Sequence, residues 1–136
     1  MYSAETWTLT GTQEQRLDAF DSKCQRRILG IRWYDHVSNT TLRSITNQPP
    51  LSHKIRSARL RLFGHLARAE PPPEPVVLLR EPNPTTWSRP RGRPRRTWLD
   101  QLANDLQQTA GLSIAAAWEA TRDRSTWRSE TIVKKL

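Results

Sequence analysis

Cysteine is nearly missing from this chain: Cys24 stands alone among 136 residues. A single thiol excludes an internal disulfide framework and any zinc finger or knuckle built on paired cysteines, and it fits a reducing compartment. Cys24 itself is expected in the core. The three histidines, His36, His53 and His65, have no spacing that would join carboxylates as metal ligands on a helix face, so neither a metal nor a cofactor is expected. Long apolar runs are missing too: no stretch of 18 apolar residues exists. The opening Met1-Tyr2-Ser3-Ala4-Glu5 lacks the charged and apolar regions of a secretory signal. The expectation is a soluble protein of the nucleus or cytoplasm, with no membrane partner. Glycine is sparse and forms no phosphate-binding loop. Asp35 beside His36 has no serine or cysteine nucleophile that the sequence can place near it, so no catalytic residues are expected. With hydrophobic residues at 35%, the core should be thin.

Positive charge is what the chain has in excess. The net charge is +9, and eight of those nine charges fall between residues 49 and 96. Within that span, Arg89-Pro90-Arg91-Gly92-Arg93-Pro94-Arg95-Arg96 packs five arginines into eight residues. Proline fixes φ and disfavours the α region for the residue before it, so Arg89 and Arg93 are pushed to extended geometry. Gly92 lets the backbone approach a partner closely. The segment reads as a thin cationic ribbon, a shape suited to a narrow and strongly negative minor groove. A localised, arginine-rich excess is also the electrostatic footprint of a phosphate-backbone binder. The Arg-rich run doubles as a loose nuclear-address pattern.

The prolines divide the chain. Eight of the ten lie between Pro71 and Pro94, and the other two are Pro49 and Pro50. We therefore expect an N-terminal helical part at 1–70, a proline- and arginine-rich connector at 71–96, and a C-terminal helical part at 97–136. The expected fold is mostly α: four or five short helices in two small clusters joined by that basic connector. A run of valines and leucines at 76–79 would form a short strand or dock on the core.

Periodicity places the helices. Residues 2–10 are short and β-favouring, which predicts a strand or an extended lead-in. Thr12-x-x-Gln15 reads as a capping box opening a helix whose apolar face is Leu17, Phe20, Cys24 and Ile28, with Gly30 as its stop. Asn39 is expected to cap a short helix burying Leu42 and Ile45. Pro49-Pro50 starts a third helix, from about Leu51 to Ala69, with Leu51, Ile55, Ala58, Leu62 and Leu66 inward. Lys54, Arg61 and Arg68 repeat every seven residues along its flank, with His65 beside them, giving a cationic edge that can follow a phosphate backbone. A fourth helix, from about Thr97 to Ala110, turns Trp98, Leu99, Leu102 and Leu106 inward and Asp100 and Asp105 to solvent, and Gly111 stops it. Ser113 caps the last. Trp98, Trp118 and Trp127 are expected to pack together, although an exposed tryptophan would be free to stack a base. The candidate nucleic-acid-binding residues are thus Arg89, Arg91, Gly92, Arg93, Arg95 and Arg96 of the ribbon, with Lys54, Arg61 and Arg68 of the third helix.

Taken alone, Pro90-Arg91-Gly92-Arg93-Pro94 resembles an AT-hook. Four longer blocks, in order, resemble the C-terminal end of the reverse transcriptase polyprotein of animal non-LTR (LINE-type) retrotransposons. They are Tyr2-x-x-Glu5-Thr6-Trp7-Thr8-Leu9; Cys24-x-Arg26-Arg27-Ile28-Leu29-Gly30-Ile31-x-Trp33-x-Asp35-x-Val37-x-Asn39-x-x-Leu42; Arg59-Leu60-Arg61-Leu62-Phe63-Gly64-His65-Leu66-x-Arg68; and Gly92-Arg93-Pro94-x-x-x-x-Trp98-x-Asp100 with Trp118 through Arg128.

The resemblance implies a region downstream of the catalytic palm that helps hold template RNA or target DNA, with the missing polymerase core as a further partner. It implies no catalysis here. The family's palm uses adjacent aspartates for two-metal nucleotidyl transfer, and no Asp-Asp pair occurs in the sequence. Some related elements carry a Cys/His knuckle in this region, and this chain cannot. That difference, with a start at Met1 inside a family motif, gives the expectation of a truncated element or a gene fragment. Two alternatives stay open: a stand-alone DNA-binding protein using Arg89 to Arg96 in the minor groove, and an element relic without a selected function.

Overall fold

A computed structural model of the chain describes residues 3–69, 85, 88, 91–93 and 96–131. The described residues are mostly α-helical and contain no strand. Six α-helices are present among them: α1 (Gly11–Ile28), α2 (Asn39–Thr46), α3 (Leu51–Ala67), α4 (Trp98–Ala110), α5 (Ile114–Ala120) and α6 (Arg124–Thr131). Two 3-10 turns, Ala4–Thr6 and Trp33–Asp35, flank α1. The mostly-α expectation is met, with six helices in place of four or five. Most of the expected connector, including the apolar run at 76–79, lies outside the described residues.

The N-terminal segment is not a strand. It enters through the Ala4–Thr6 turn and buries Ala4 and Leu9 against Ile55 of α3. Helix α1 starts two residues earlier than the Thr12/Gln15 pattern predicts. Thr10 holds the extended backbone an N-cap needs, and it and Gln13 cap each other reciprocally. The helix ends as expected at Gly30, where φ is +68°. There the Ile31 and Gly30 amides donate to the Arg26 and Arg27 carbonyls, at 3.0 and 3.4 Å, in a Schellman closure.

The face that α1 turns inward is not its most apolar one. Phe20 is 64% exposed and Ile28 82%, while Leu17 and Cys24 are half-buried and Ser22 is buried. Leu17 packs on the Ala4, Leu9 and Ile55 cluster, and polar contacts supply the rest of the hold on α1. The Asp18 carboxylate accepts from the Ser52 amide at 2.9 Å and from its hydroxyl at 2.7 Å. Pro50 has no capping side chain, so Asp18 supplies the cap to the first turn of α3 from another helix, where the helix dipole favours a negative charge. Gln25 meets Thr46 of α2 at 3.1 Å. Helix α2 is capped by Ser38, one residue before the predicted Asn39, and buries Leu42 but leaves Ile45 exposed.

Helix α3 is the hub, because both core clusters use it. Its buried residues are Ile55, Ser57, Arg59, Leu60, Phe63 and Gly64, so the inward face is rotated from the predicted one and Leu62 and Leu66 are only half-buried. The rotation follows from what α3 meets. Leu60 and Phe63 pack with Leu102 and Leu106 of α4, Ala117 of α5 and Trp127 of α6. Phe63 lies between two indoles, 5.7 Å from the Trp118 ring and 5.8 Å from that of Trp127. Trp98 packs at the edge of the same cluster, so the three tryptophans join one core as expected. Helix α4 is capped by Thr97 and Asp100, a reciprocal pair the sequence reading did not name, and it stops as expected at Gly111, where φ is +66°.

One buried ion pair joins the halves of the chain. Asp105, expected on the solvent side, is instead buried with Arg59, whose guanidinium donates to its carboxylate. Arg59 also donates to the Trp7 carbonyl at 2.9 Å, and Arg56 approaches the same carboxylate to 3.5 Å. Gln101 adds a donor from one turn back, at 3.3 Å. A carboxylate enters a protein interior only where cations and donors replace its water, and that condition overrides the outward reading of an isolated aspartate on α4.

Candidate nucleic-acid interface

The close packing of α3 on α6 opens a groove beside it. Trp127 of α6 lies on Gly64 of α3, and its indole N–H donates to the Leu60 carbonyl at 3.2 Å. The two helices therefore carry their flanking side chains to a common edge. Arg61, His65 and Arg68, at helical spacing on α3, face Arg124 and Arg128, one turn apart on α6. With Ala69 and Trp127 they line a groove of about 610 Å³. No carboxylate among the described residues lines it. Among the described residues, none of these four arginines belongs to an ion pair. Arg61, Arg124 and Arg128 are exposed and Arg68 half-buried, so the groove presents a cationic surface with the forked donor geometry that suits anionic oxygens.

The groove is held in shape from both sides. Arg68 is half-buried and donates to the Thr121 carbonyl at 2.8 Å, joining the end of α3 to the end of α5. Asp123 caps α6, accepting from the Ser125 and Thr126 amides at 2.9 and 3.4 Å and from both hydroxyls. The Thr126 hydroxyl above all, then the Ser125 hydroxyl and the two amides, hold its carboxyl far below the usual carboxylate range. Capping fixes where α6 begins, and with it the direction of Arg124 and Arg128.

The ribbon is described only in part. Arg91, Gly92 and Arg93 are exposed, and Gly92 adopts φ +125°, a backbone that a residue with a Cβ rarely takes. Arg89 and Arg95 lie outside the described residues. Arg96 does a structural job: its guanidinium donates to the Leu9 carbonyl at 2.9 Å and ties the end of the ribbon to the N-terminal segment. Lys54 sits a full two turns before Arg61 on α3 and donates to Gln48 at 2.8 Å. Of the predicted residues, then, Arg61 and Arg68 come together in the groove, while Lys54 and Arg96 have partners elsewhere in the fold.

Arg124 and Arg128 were missed as site residues. Their signal was the i, i+4 spacing around Trp127 in Asp123-Arg124-Ser125-Thr126-Trp127-Arg128, which puts both arginines on one side of α6. Asp35 and His36 serve the chain's own turn: Asp35 accepts from the Arg32 amide at 2.6 Å, and His36 follows in the left-handed region at φ 49°. Burial, reinforced by Arg56, keeps His53 below its ordinary value. Among the described residues, no group of histidine, cysteine and carboxylate side chains is placed to hold a metal ion. No described helix is long and apolar enough to cross a membrane. No protein-family model, curated protein or solved structure matches the chain.

Proposed function

We propose that this chain binds nucleic acid through its phosphate backbone, without catalysis, as the C-terminal part of a non-LTR retrotransposon reverse transcriptase lacking the polymerase palm. The observation that carries the binding reading is the groove between α3 and α6, where Arg61, His65 and Arg68 meet Arg124 and Arg128 with no carboxylate among the described lining residues. Guanidinium groups pair with phosphate oxygens in forked geometry and release counterions as they do so. Arg91 and Arg93, exposed on either side of Gly92, are further cations open to a partner.

The retrotransposon reading rests on the four blocks and on how they meet. Trp98 of the last block donates to the Glu5 carbonyl of the first at 2.9 Å, and Arg59 of the third donates to the Trp7 carbonyl of the first. Gly64 of the third block receives Trp127 of the last. Residues far apart in sequence thus serve one fold, which is what a set of motifs retained together would do. The second reading, a stand-alone DNA-binding protein, is favoured by one feature: the exposed Arg91-Gly92-Arg93 with its positive-φ glycine.

A salt titration tests the binding. Nucleic-acid affinity should fall steeply with salt, and Arg124→Ala with Arg128→Ala should lower affinity and flatten the logarithmic slope by about two phosphate contacts. An unchanged slope would take the groove out of the interface. Arg91→Ala with Arg93→Ala asks the same of the ribbon, and preference for A·T duplexes that disappears in this variant would favour the second reading.

A further inference from the structure

The Trp33–Asp35 turn presents aromatic rings that the fold does not use. Trp33 is 85% exposed and Tyr34 51%, and neither belongs to a core cluster. Large aromatics normally bury most of their area, so an aromatic pair left in water needs a reason. The turn beneath the pair is firmly built. Gly30 closes α1 just before it, and Asp35 ties back to the Arg32 amide. Arg26 then anchors the segment beyond, donating to the Val37 carbonyl at 3.0 Å and to Asn39 at 2.7 Å. The rings stand edge to face, 5.7 Å apart at 75°, and the Arg32 guanidinium lies 5.9 Å from the Tyr34 centroid.

The surroundings decide what would cover the pair. Between residues 23 and 36 the chain carries Lys23, Arg27 and Arg32, besides the Arg26 engaged with Val37 and Asn39, against one carboxylate, Asp35, which is engaged by the turn. An exposed aromatic pair in a cationic setting matches the stacking platforms on which unpaired bases lie while cations track the backbone beside them. Ile28 and Leu29 at the end of α1, a few residues before the turn, are exposed as well.

We propose that Trp33 and Tyr34 form a stacking site for unpaired bases, so that the nucleic acid bound by this chain is single-stranded where it crosses the turn. The proposal rests on the nucleic-acid reading of the α3/α6 groove and narrows it: the groove takes phosphates of any strand, whereas the turn takes only bases that are not paired.

The test measures binding of a 20-nucleotide oligothymidylate and of a hairpin duplex by the intact chain, by Trp33→Ala with Tyr34→Ala, and by Trp33→Phe with Tyr34→Phe. The alanine pair should lose about 5- to 150-fold for the single strand per base stacked, with duplex affinity nearly unchanged, and the phenylalanine pair should retain most of the affinity. Both rings are outside the core, so circular dichroism should not change. Equal losses on both probes, or no loss on either, overturn the stacking site. So does a shift from dimer to monomer in sedimentation without loss of single-strand affinity, which would make the turn a contact between two copies. If the alanine pair has no effect while Arg124→Ala with Arg128→Ala weakens binding, the stacking site fails and the groove reading stands. If the unaltered chain binds neither probe, both fail.

Discussion

Replacing Gly64 with alanine should destabilise the protein, although by helix propensity alone it should stabilise it. Glycine inside a helix costs about 1 kcal/mol relative to alanine, so an open site would gain roughly that from the change. Gly64 is not an open site. A Cβ there would lie 2.3 Å from Trp127 Nε1 and 2.6 Å from Cδ1, and 3.1 Å from an Arg68 nitrogen. Carbon atoms pack at about 3.5 to 4.0 Å, so the indole would have to withdraw by roughly an ångström. Withdrawal would stretch the bond from Trp127 to the Leu60 carbonyl and loosen the indole against Phe63. Overpacking of this kind costs about 1 to 3 kcal/mol, and a weakened buried hydrogen bond about 1 kcal/mol more. Against the propensity gain, the net loss is about 1 to 3 kcal/mol. Urea denaturation followed by circular dichroism at the helix band would read it as a lower midpoint at unchanged slope. The same variant should weaken nucleic-acid binding, because the contact that fixes α3 on α6 also sets the width of the groove. A midpoint at or above that of the unaltered protein would refute the reasoning.

Two further stability predictions concern charge. Asp105→Ala strands the Arg59 guanidinium in the interior and should cost about 3 to 5 kcal/mol, whereas Arg59→Met with Asp105→Leu should cost much less. A double-mutant cycle in urea checks this, and additive losses would contradict it. Asp123 sets a pH dependence. Its carboxyl is held below its ordinary value of 3.8, so the unfolded chain takes up the proton first as pH falls. The stabilisation by this cap is therefore complete above about pH 5 and lost progressively as the pH drops through and below 3.8. Asp123→Ala should lose less stability than the unaltered protein between pH 5 and pH 3; an identical loss would show that the cap carries no such linkage.

What could be read from the sequence was local. The Ser113 cap and the stops at Gly30 and Gly111 each depend on residues within one helical turn, and each was legible. The start of α1 shows the limit of such patterns. Thr10 and Thr12 each stand three residues before a glutamine, and the choice between them follows from where the buried Leu9 fastens the chain to α3. Asp105 misled because its partner, Arg59, is 46 residues away, and a carboxylate on a helix reads as solvent-facing until the buried cation is known. Phe20 and Ile28 misled in the opposite direction. Their spacing fits a core face, but α1 is held by Leu17 on the Ile55 cluster and by polar contacts of Asp18, Gln25 and Arg26, which leaves Phe20 and Ile28 outside. The groove was half legible. The cationic flank of α3 follows from periodicity, but its partners on α6 come from the Gly64–Trp127 contact, which no local pattern encodes.

Nitrogen-15 NMR of the arginine side chains during titration with a phosphodiester oligonucleotide tests the central claim most directly. The Nε–Hε signals of Arg61, Arg68, Arg124 and Arg128 should move together with added oligonucleotide, and the signal of Arg59, buried on Asp105, should stay where it is. Binding that leaves the four groove arginines unmoved, or that shifts Arg59 as much as them, would contradict the account.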